Sequence, residues 1–274
     1  MNVIWGLLVL AVAVGVAVAA MLLIRRSAPE GSYFADGDRA SGVFGVLATG
    51  FAIFAGFVIF LAFTSYDQSR SGGEAEALAV VQQYETAQFL PADVRERLAG
   101  ELVCYARSVV YQEWPRMKNG TAGDAINPWG VALFRSLQTV SPDTPAEEAA
   151  YGKWLDQTSD REEARRDRLH GAAGIIPTSL WLVLFLVAGV VFSYMLFFAD
   201  SGERAVSQAM LIGSATTVVV ATLLAMYALD NPYQEGVGSI RPVAMERSIG
   251  ILEEARGILD DDSAVPCDER GEAR

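Results

Sequence analysis

Four stretches of this chain contain no Asp, Glu, Lys or Arg: residues 3–24, 42–63, 174–199 and 209–229, of 22, 22, 26 and 21 residues. A helix rises about 1.5 Å per residue, so about 20 apolar residues cross a hydrocarbon core of roughly 30 Å. A soluble helix of that length carries a polar stripe where it meets water, and none of these four shows a charged one. Hydrophobic residues make up 52% of the 274-residue chain, and their concentration into blocks decides the class. The expected fold is an all-α integral membrane protein with four transmembrane helices. An ordinary soluble enzyme is excluded.

The first run includes Ala17-Val18-Ala19, which looks like a signal-peptidase site. No basic side chain precedes its apolar core, and Met21-Leu22-Leu23-Ile24 extend past the site, against the short core of a secretory signal. The first helix is expected to stay as a span. Residues 1–63 and 174–229 thus hold two spans each, and they bracket a polar stretch, 64–173. There Val94, Leu98, Leu102, Tyr105 and Val109 recur at helical spacing. Pro91 suits a first helical position, Asn127-Pro128 repeats the device, and Thr144-Pro145-Ala146-Glu147 reads as a capping box. No strand alternation of useful length occurs, so this stretch is expected to be a helical extramembrane domain. Residues 230–274 form an acidic tail with 11 acids and 5 bases. Its stretch 243–259 is weakly helical, and Asp260-Asp261-Asp262 reads as either a cation clasp or a solvated end.

Net charge is −12, which argues against nucleic acid, whose binding needs clustered Lys and Arg. Only Lys118 and Lys153 are lysines, an arginine bias read as that of a GC-rich bacterial genome. The expected location is the bacterial inner membrane, in contact with the lipid bilayer. An even number of spans puts both termini and the domain on one side. Arg70, Arg161, Arg165, Arg166, Arg168, Arg241 and Arg247 flank the spans there, against Arg25, Arg26, Arg39 and Arg204 on the other side. Counting basic residues assigns the domain to the cytoplasm, and Cys104 and Cys267 are accordingly expected as reduced thiols.

Enzymatic chemistry finds no constellation. His170 is the only histidine, and no phosphate-cradling glycine loop is present, so no catalytic, metal or cofactor site is expected. Asn119-Gly120-Thr121 reads as a loop turn. Arg161, Arg165 and Arg168 share a helix face before the third span. That face is either an electropositive vestibule for small anions or a stripe paired with headgroups and nearby acids. In the second span Phe51, Phe54, Phe57, Phe60 and Phe63 recur every third residue, a row that winds around the helix. A subset, with Phe51, Phe54 and Phe57 as candidates, could form a hydrophobic constriction; otherwise the row meets lipid. Ala48, Ala52 and Gly56 form a small-residue row suited to close helix packing. The spans carry no ionisable side chain, which argues against proton pumps and ion-coupled transporters.

Three motifs then come together: Glu113-Trp114-Pro115; Arg165, Arg168 and Leu169 followed by Pro177 and Trp181; and Asp230-Asn231-Pro232-Tyr233 followed by Gly236. With the layout of two spans, a helical domain and two spans, the chain resembles the bacterial bestrophin-like domain family. It is more distantly similar to bestrophins, pentameric anion channels with an Asn-Pro-Phe segment after the last span. The resemblance implies a homo-oligomeric passive pore for small anions. The acidic calcium clasp of bestrophins has no counterpart in Gln234, Glu235, Gly236, Val237 and Gly238, so calcium gating is not implied. The alternative is a membrane-anchored helical scaffold that binds a partner through residues 64–173.

Overall fold

In a computed structural model, the described residues are 3–121, 126–236, 238–261 and 263–274. Among them the secondary structure is helical, and no strand forms. The chain divides into two compact units. The first comprises Met1–Thr64, Ile175–Asp230 and Glu235–Gly238; the second comprises Ser65–Gly174, Asn231–Gln234 and Ser239–Arg274.

Four helices are long and apolar enough to cross a membrane: α1 (Val3–Arg25), α2 (Gly37–Ala87), α7 (Thr178–Phe197) and α8 (Ala205–Asp230). α2 is 51 residues long and does not stop where its apolar run ends at Phe63. Nothing breaks it there. Thr64 and Ser71 turn their hydroxyls back onto the carbonyls of Phe60 and Asp67, at 2.9 and 2.7 Å, and the stretch has no proline until Pro91. α7 starts late, because Pro177 at its N-cap fixes an extended conformation.

In the membrane unit, one face of α2 (Phe51, Ala55 and Val58) packs against Leu184, Ala188 and Val191 of α7 and Met226 of α8. Ala17 and Met21 of α1 pack on Ile212 of α8. Along the spans much of the remaining surface is apolar and exposed: Ile4 is 70% accessible, Val46 74% and Leu182 68%. Apolar exposure on this scale suits hydrocarbon and not water.

The second unit has its own core. It is built from the later turns of α2, from α3 (Ala92–Ser108), α5 (Pro128–Leu137) and α6 (Pro145–His170), and from α9 (Val243–Ile258). Val94, Leu98, Leu102, Tyr105 and Val109 are all buried in it. After α3 the chain passes through a π-helical turn, Val109–Glu113, into the short α4 (Trp114–Lys118). Asn127 caps α5, its Oδ1 accepting from the Trp129 N–H at 3.0 Å. Thr144 and Glu147 form a reciprocal capping box on α6.

Two expectations are corrected here. The stretch 243–259 is helical as expected, forming α9, and its Met245 and Leu252 enter the domain core; the acidic end after it is not simply solvated, since Asp261 pairs with Arg256 at 3.2 Å. Asp262 lies outside the described residues. Cys104 and Cys267 are not free thiols; they form a disulfide across 163 residues. The bond is framed by Trp129 Nε1, which donates to the Gly271 carbonyl at 2.7 Å, and by Arg107, which donates to the Asp268 carbonyl at 3.1 Å. A charge run read locally looks solvated; this tail is held by a few apolar residues and a crosslink.

Candidate functional site

The membrane unit presents α2 as a two-sided helix. Phe51, Ala55, Val58 and Ala62 are buried at the i, i+4, i+7, i+11 spacing of one face. On the opposite side Ile53 is 70% exposed, Phe60 64% and Phe57 60%. Gly42, Gly45, Gly50 and Gly56 have no other heavy atom within 4 Å of where a Cβ would sit. The phenylalanine row is thereby split. Phe51 serves the bundle core and Phe54 is half-buried against it, so neither belongs to an open face; Phe57 does. The row of Ala48, Ala52 and Gly56 is not a packing seam within this chain, since Ala52 and Gly56 are exposed.

Asp230 ends α8 and holds the start of α7. Its Oδ1 accepts the backbone N–H groups of Ile175 and Ile176 at 2.6 and 2.7 Å, and its Oδ2 accepts the Trp181 indole N–H at 3.1 Å. Free N–H groups before a helix attract a carboxylate, because nothing in the helix itself satisfies them. Pro177, Trp181 and Asp230 are therefore one staple.

In the second unit, α6 does place Arg161, Arg165 and Arg168 on one face, but that face points inward. Arg161 is 1% exposed and Arg168 0%. The Arg168 guanidinium forks onto two carboxylates: it pairs with Glu76 of α2 through Nε and, at 3.0 Å, through Nη2. Nη2 also reaches Glu113 Oε2 at 2.6 Å. Nη1 donates to the Met117 sulfur at 2.9 Å, and the group lies 5.4 Å from the Trp114 ring centroid. Glu113 Oε1 takes Arg165 at 3.1 Å and the Asn127 amide at 2.9 Å. Tyr105 donates to Glu76 at 2.6 Å. Arg161 donates to Gln83 at 2.9 Å, pairs with Glu162 at 3.2 Å and lies over Tyr105. The Tyr233 hydroxyl closes the group on the Arg168 carbonyl, and its ring meets Trp114 edge-on at 5.7 Å.

Two carboxylates, Glu76 and Glu113, thus balance two guanidiniums, Arg165 and Arg168, inside the core. Of the two readings of this face, the electropositive vestibule falls away, because a buried and compensated guanidinium cannot draw ions from solvent; the arginines pair with acids, Arg161 with the neighbouring Glu162 and Arg165 and Arg168 with carboxylates of the core. Burial alone would push the Glu113 carboxyl up, but Arg168 and Arg165 outweigh it and hold it below the ordinary glutamate range. Burial likewise opposes the charge on Arg168, and Glu76 and Glu113 overcome it, raising its pKa. The Tyr105 hydroxyl is pushed well up, by burial and then by Glu76.

The cluster joins Glu113, Trp114, Arg165, Arg168 and Tyr233 from all three motifs, which chain order keeps apart. Pro115 sits in the first turn of α4, and Leu169 packs on the domain core. Asn231 and Pro232 line a cavity of about 380 Å³ with Lys118 and Gly171. Gly236 lies in the segment Glu235–Gly238. Sequence reasoning missed Glu76 and Gln83, and it placed Tyr105 on the buried face of its helix without its bond to Glu76. The available signal was Gly72-Gly73: a Cβ on Gly72 would sit 2.5 Å from the Arg168 backbone nitrogen, so only glycine lets α2 and α6 approach there.

Four helices of membrane length, joined to a helical domain built on an internal arginine–carboxylate cluster, define an all-helical membrane protein. The family model described as the Bestrophin-like domain matches residues 11–245, and the chain belongs to that family. No curated protein matches it. Among solved structures, it is similar to a point variant of a bacterial bestrophin homolog from Klebsiella pneumoniae, with a TM-score of 0.66 and 14% identity over 92% of this chain and 98% of that one. A second variant of that homolog has a TM-score of 0.62 at 15% identity, over 89% and 98% of the two chains. A structure described as a membrane protein has a TM-score of 0.63 at 15% identity, over 92% and 98%. At these identities the likeness is one of fold.

Proposed function

We propose that this chain crosses the membrane four times and assembles with copies of itself into a passive ion pore lined by the outward face of α2. The observation that carries the proposal is the two-sidedness of that helix. Its packed face is used up inside the chain, while Ile53, Phe57 and Phe60 and the open glycines are left on the other side. Bulky apolar side chains around an axis make a constriction that gates by dewetting. One subunit cannot enclose such an axis, so the pore requires an oligomer. Passive flow fits spans without ionisable groups, and a channel role, not an enzymatic one, fits the family. The preference for small anions rests on the resemblance to bestrophins alone, now that Arg161 and Arg168 are internal.

The side on which the domain lies follows the disulfide. A Cys104–Cys267 bond persists where thiols are not kept reduced, and Arg25-Arg26, directly after the first span, favour the same orientation. This reverses the assignment made by counting basic residues. Purified protein in planar bilayers, with ion substitution, tests the pore: gradient-driven currents from an oligomeric preparation support it. A strictly monomeric preparation in mild detergent, or no conductance from an oligomeric one, refutes it.

A further inference from the structure

At the short-loop end of the membrane unit, α1, α2, α7 and α8 leave a cavity of about 360 Å³. That lies at the lower end of the roughly 300–1,000 Å³ of small-ligand sites. Met21, Phe44, Met195, Phe198 and Leu211 give it apolar walls, and Glu203 and Gln208 add two polar side chains. Leu211 is also 63% exposed, beside Met210 at 69% and Val206 at 66%. The cavity therefore opens sideways, through surface that lies in hydrocarbon if α8 spans the bilayer.

Its polar end is built by a network of bonds. Arg25 donates through Nε to the Asp200 carbonyl and through Nη2 to the Ser201 carbonyl, each at 3.1 Å, and also to the Glu203 carbonyl. Asp200 Oδ1 accepts the N–H groups of Gly31 and Gly202 at 3.0 and 2.7 Å. Gln208 Nε2 then donates to the Asp200 carbonyl at 2.9 Å and to Glu203 Oε2 at 3.1 Å. Those two bonds fix the orientation of the Gln208 amide, because flipping it would set oxygen against oxygen. Its Oε1 is left without a donor although the residue is only 4% exposed. A buried acceptor without a donor costs stability, and a carboxylate stands beside it.

We propose that this cavity takes one acyl chain of an amine-bearing phospholipid from the bilayer, with its ammonium group bound by the exposed Glu203 carboxylate, which Gln208 holds in place. A carboxylate only accepts hydrogen bonds, so the ligand must bring donors. A primary ammonium offers three donors and a positive charge, while a quaternary ammonium offers none.

The test is lipid retention by the full-length protein. It is reconstituted in vesicles of equal phosphatidylethanolamine and phosphatidylcholine, extracted in mild detergent and weighed by native mass spectrometry. Ethanolamine lipid should be retained roughly tenfold over choline lipid, the scale of one charge-assisted hydrogen bond. Ala215→Phe, which fills the cavity, should abolish retention, and Glu203→Gln should remove the headgroup preference while the fold is kept, since Glu203 is exposed. Equal retention of both lipids by the unmodified protein overturns the proposal, as does an undiminished preference in Glu203→Gln. The readout involves no ion flux, so it stands or falls apart from the pore.

Discussion

Replacing Arg168 by methionine should be the most damaging single polar change in the domain. The substitution keeps apolar bulk and deletes the group that Glu76 and Glu113 share, leaving two carboxylates inside the core at 0% and 5% exposure. Removing one partner of a buried ion pair costs about 3–5 kcal/mol, because the remaining charge stays desolvated. For a unit of this size, 1 kcal/mol moves the melting temperature by about 2–4 °C, so a fall of roughly 6–20 °C is expected. The assay is tryptophan fluorescence on heating in mild detergent at neutral pH, at one scan rate, because unfolding of such proteins is partly a kinetic quantity. Trp114 reports directly, lying over the Arg168 guanidinium. Arg166→Met is the control: Arg166 is exposed on the same helix, and surface changes of this kind stay within about 0.5 kcal/mol. Adding Glu76→Gln to Arg168→Met should restore much of the loss, since Glu113 still pairs with Arg165 and no buried carboxylate is then left without a cation. If Arg168→Met melts within about 2 °C of Arg166→Met, the reasoning about burial is wrong.

Other outcomes follow from the same contacts. Because the folded-state pKa of Glu113 is depressed, its contribution is fully present above the unfolded value of about 4.3 and is lost as pH falls through the folded value; the melting temperature should drop on acidification below about pH 4.3, and less steeply in Glu113→Gln. Gly72→Ala should destabilise as strongly as Arg168→Met, because the obstruction is backbone, whereas Gly73→Ala, whose nearest neighbour would be 3.5 Å away, should be tolerated; paired melting curves check both. Asp230→Ala, which frees two backbone N–H groups and the Trp181 indole, should cost about 3 kcal/mol and shift Trp181 emission. Reduction of Cys104–Cys267 should lower stability by up to about 5 kcal/mol on the chain-entropy model; in intact cells, a membrane-impermeant maleimide should label these cysteines only after reduction, and labelling that needs permeabilisation instead would put the domain in the cytoplasm.

The sequence by itself determined that this is a helical membrane protein. Absence of charge over a membrane-length run is a local property, and no tertiary contact can make a charge-free stretch comfortable in water. The starts of α3, α5 and α6 were equally legible, since proline and capping residues act on the turn beside them. What the sequence could not determine was which way a face points. Arg161, Arg165 and Arg168 align on α6 by helical geometry alone, yet whether they meet solvent or a core depends on Glu76, 92 residues from Arg168, and on Glu113, 55 residues away. Only the tertiary structure brings those carboxylates alongside, through a helix approach that Gly72 permits. The phenylalanine row was likewise visible as a winding stripe, and only packing against α7 and α8 sends Phe51 inward and leaves Phe57 out. The cysteine pair follows the same rule. Spacing in the chain carries no information about a bond that spans 163 residues, because partners so far apart are chosen by the fold that closes the loop.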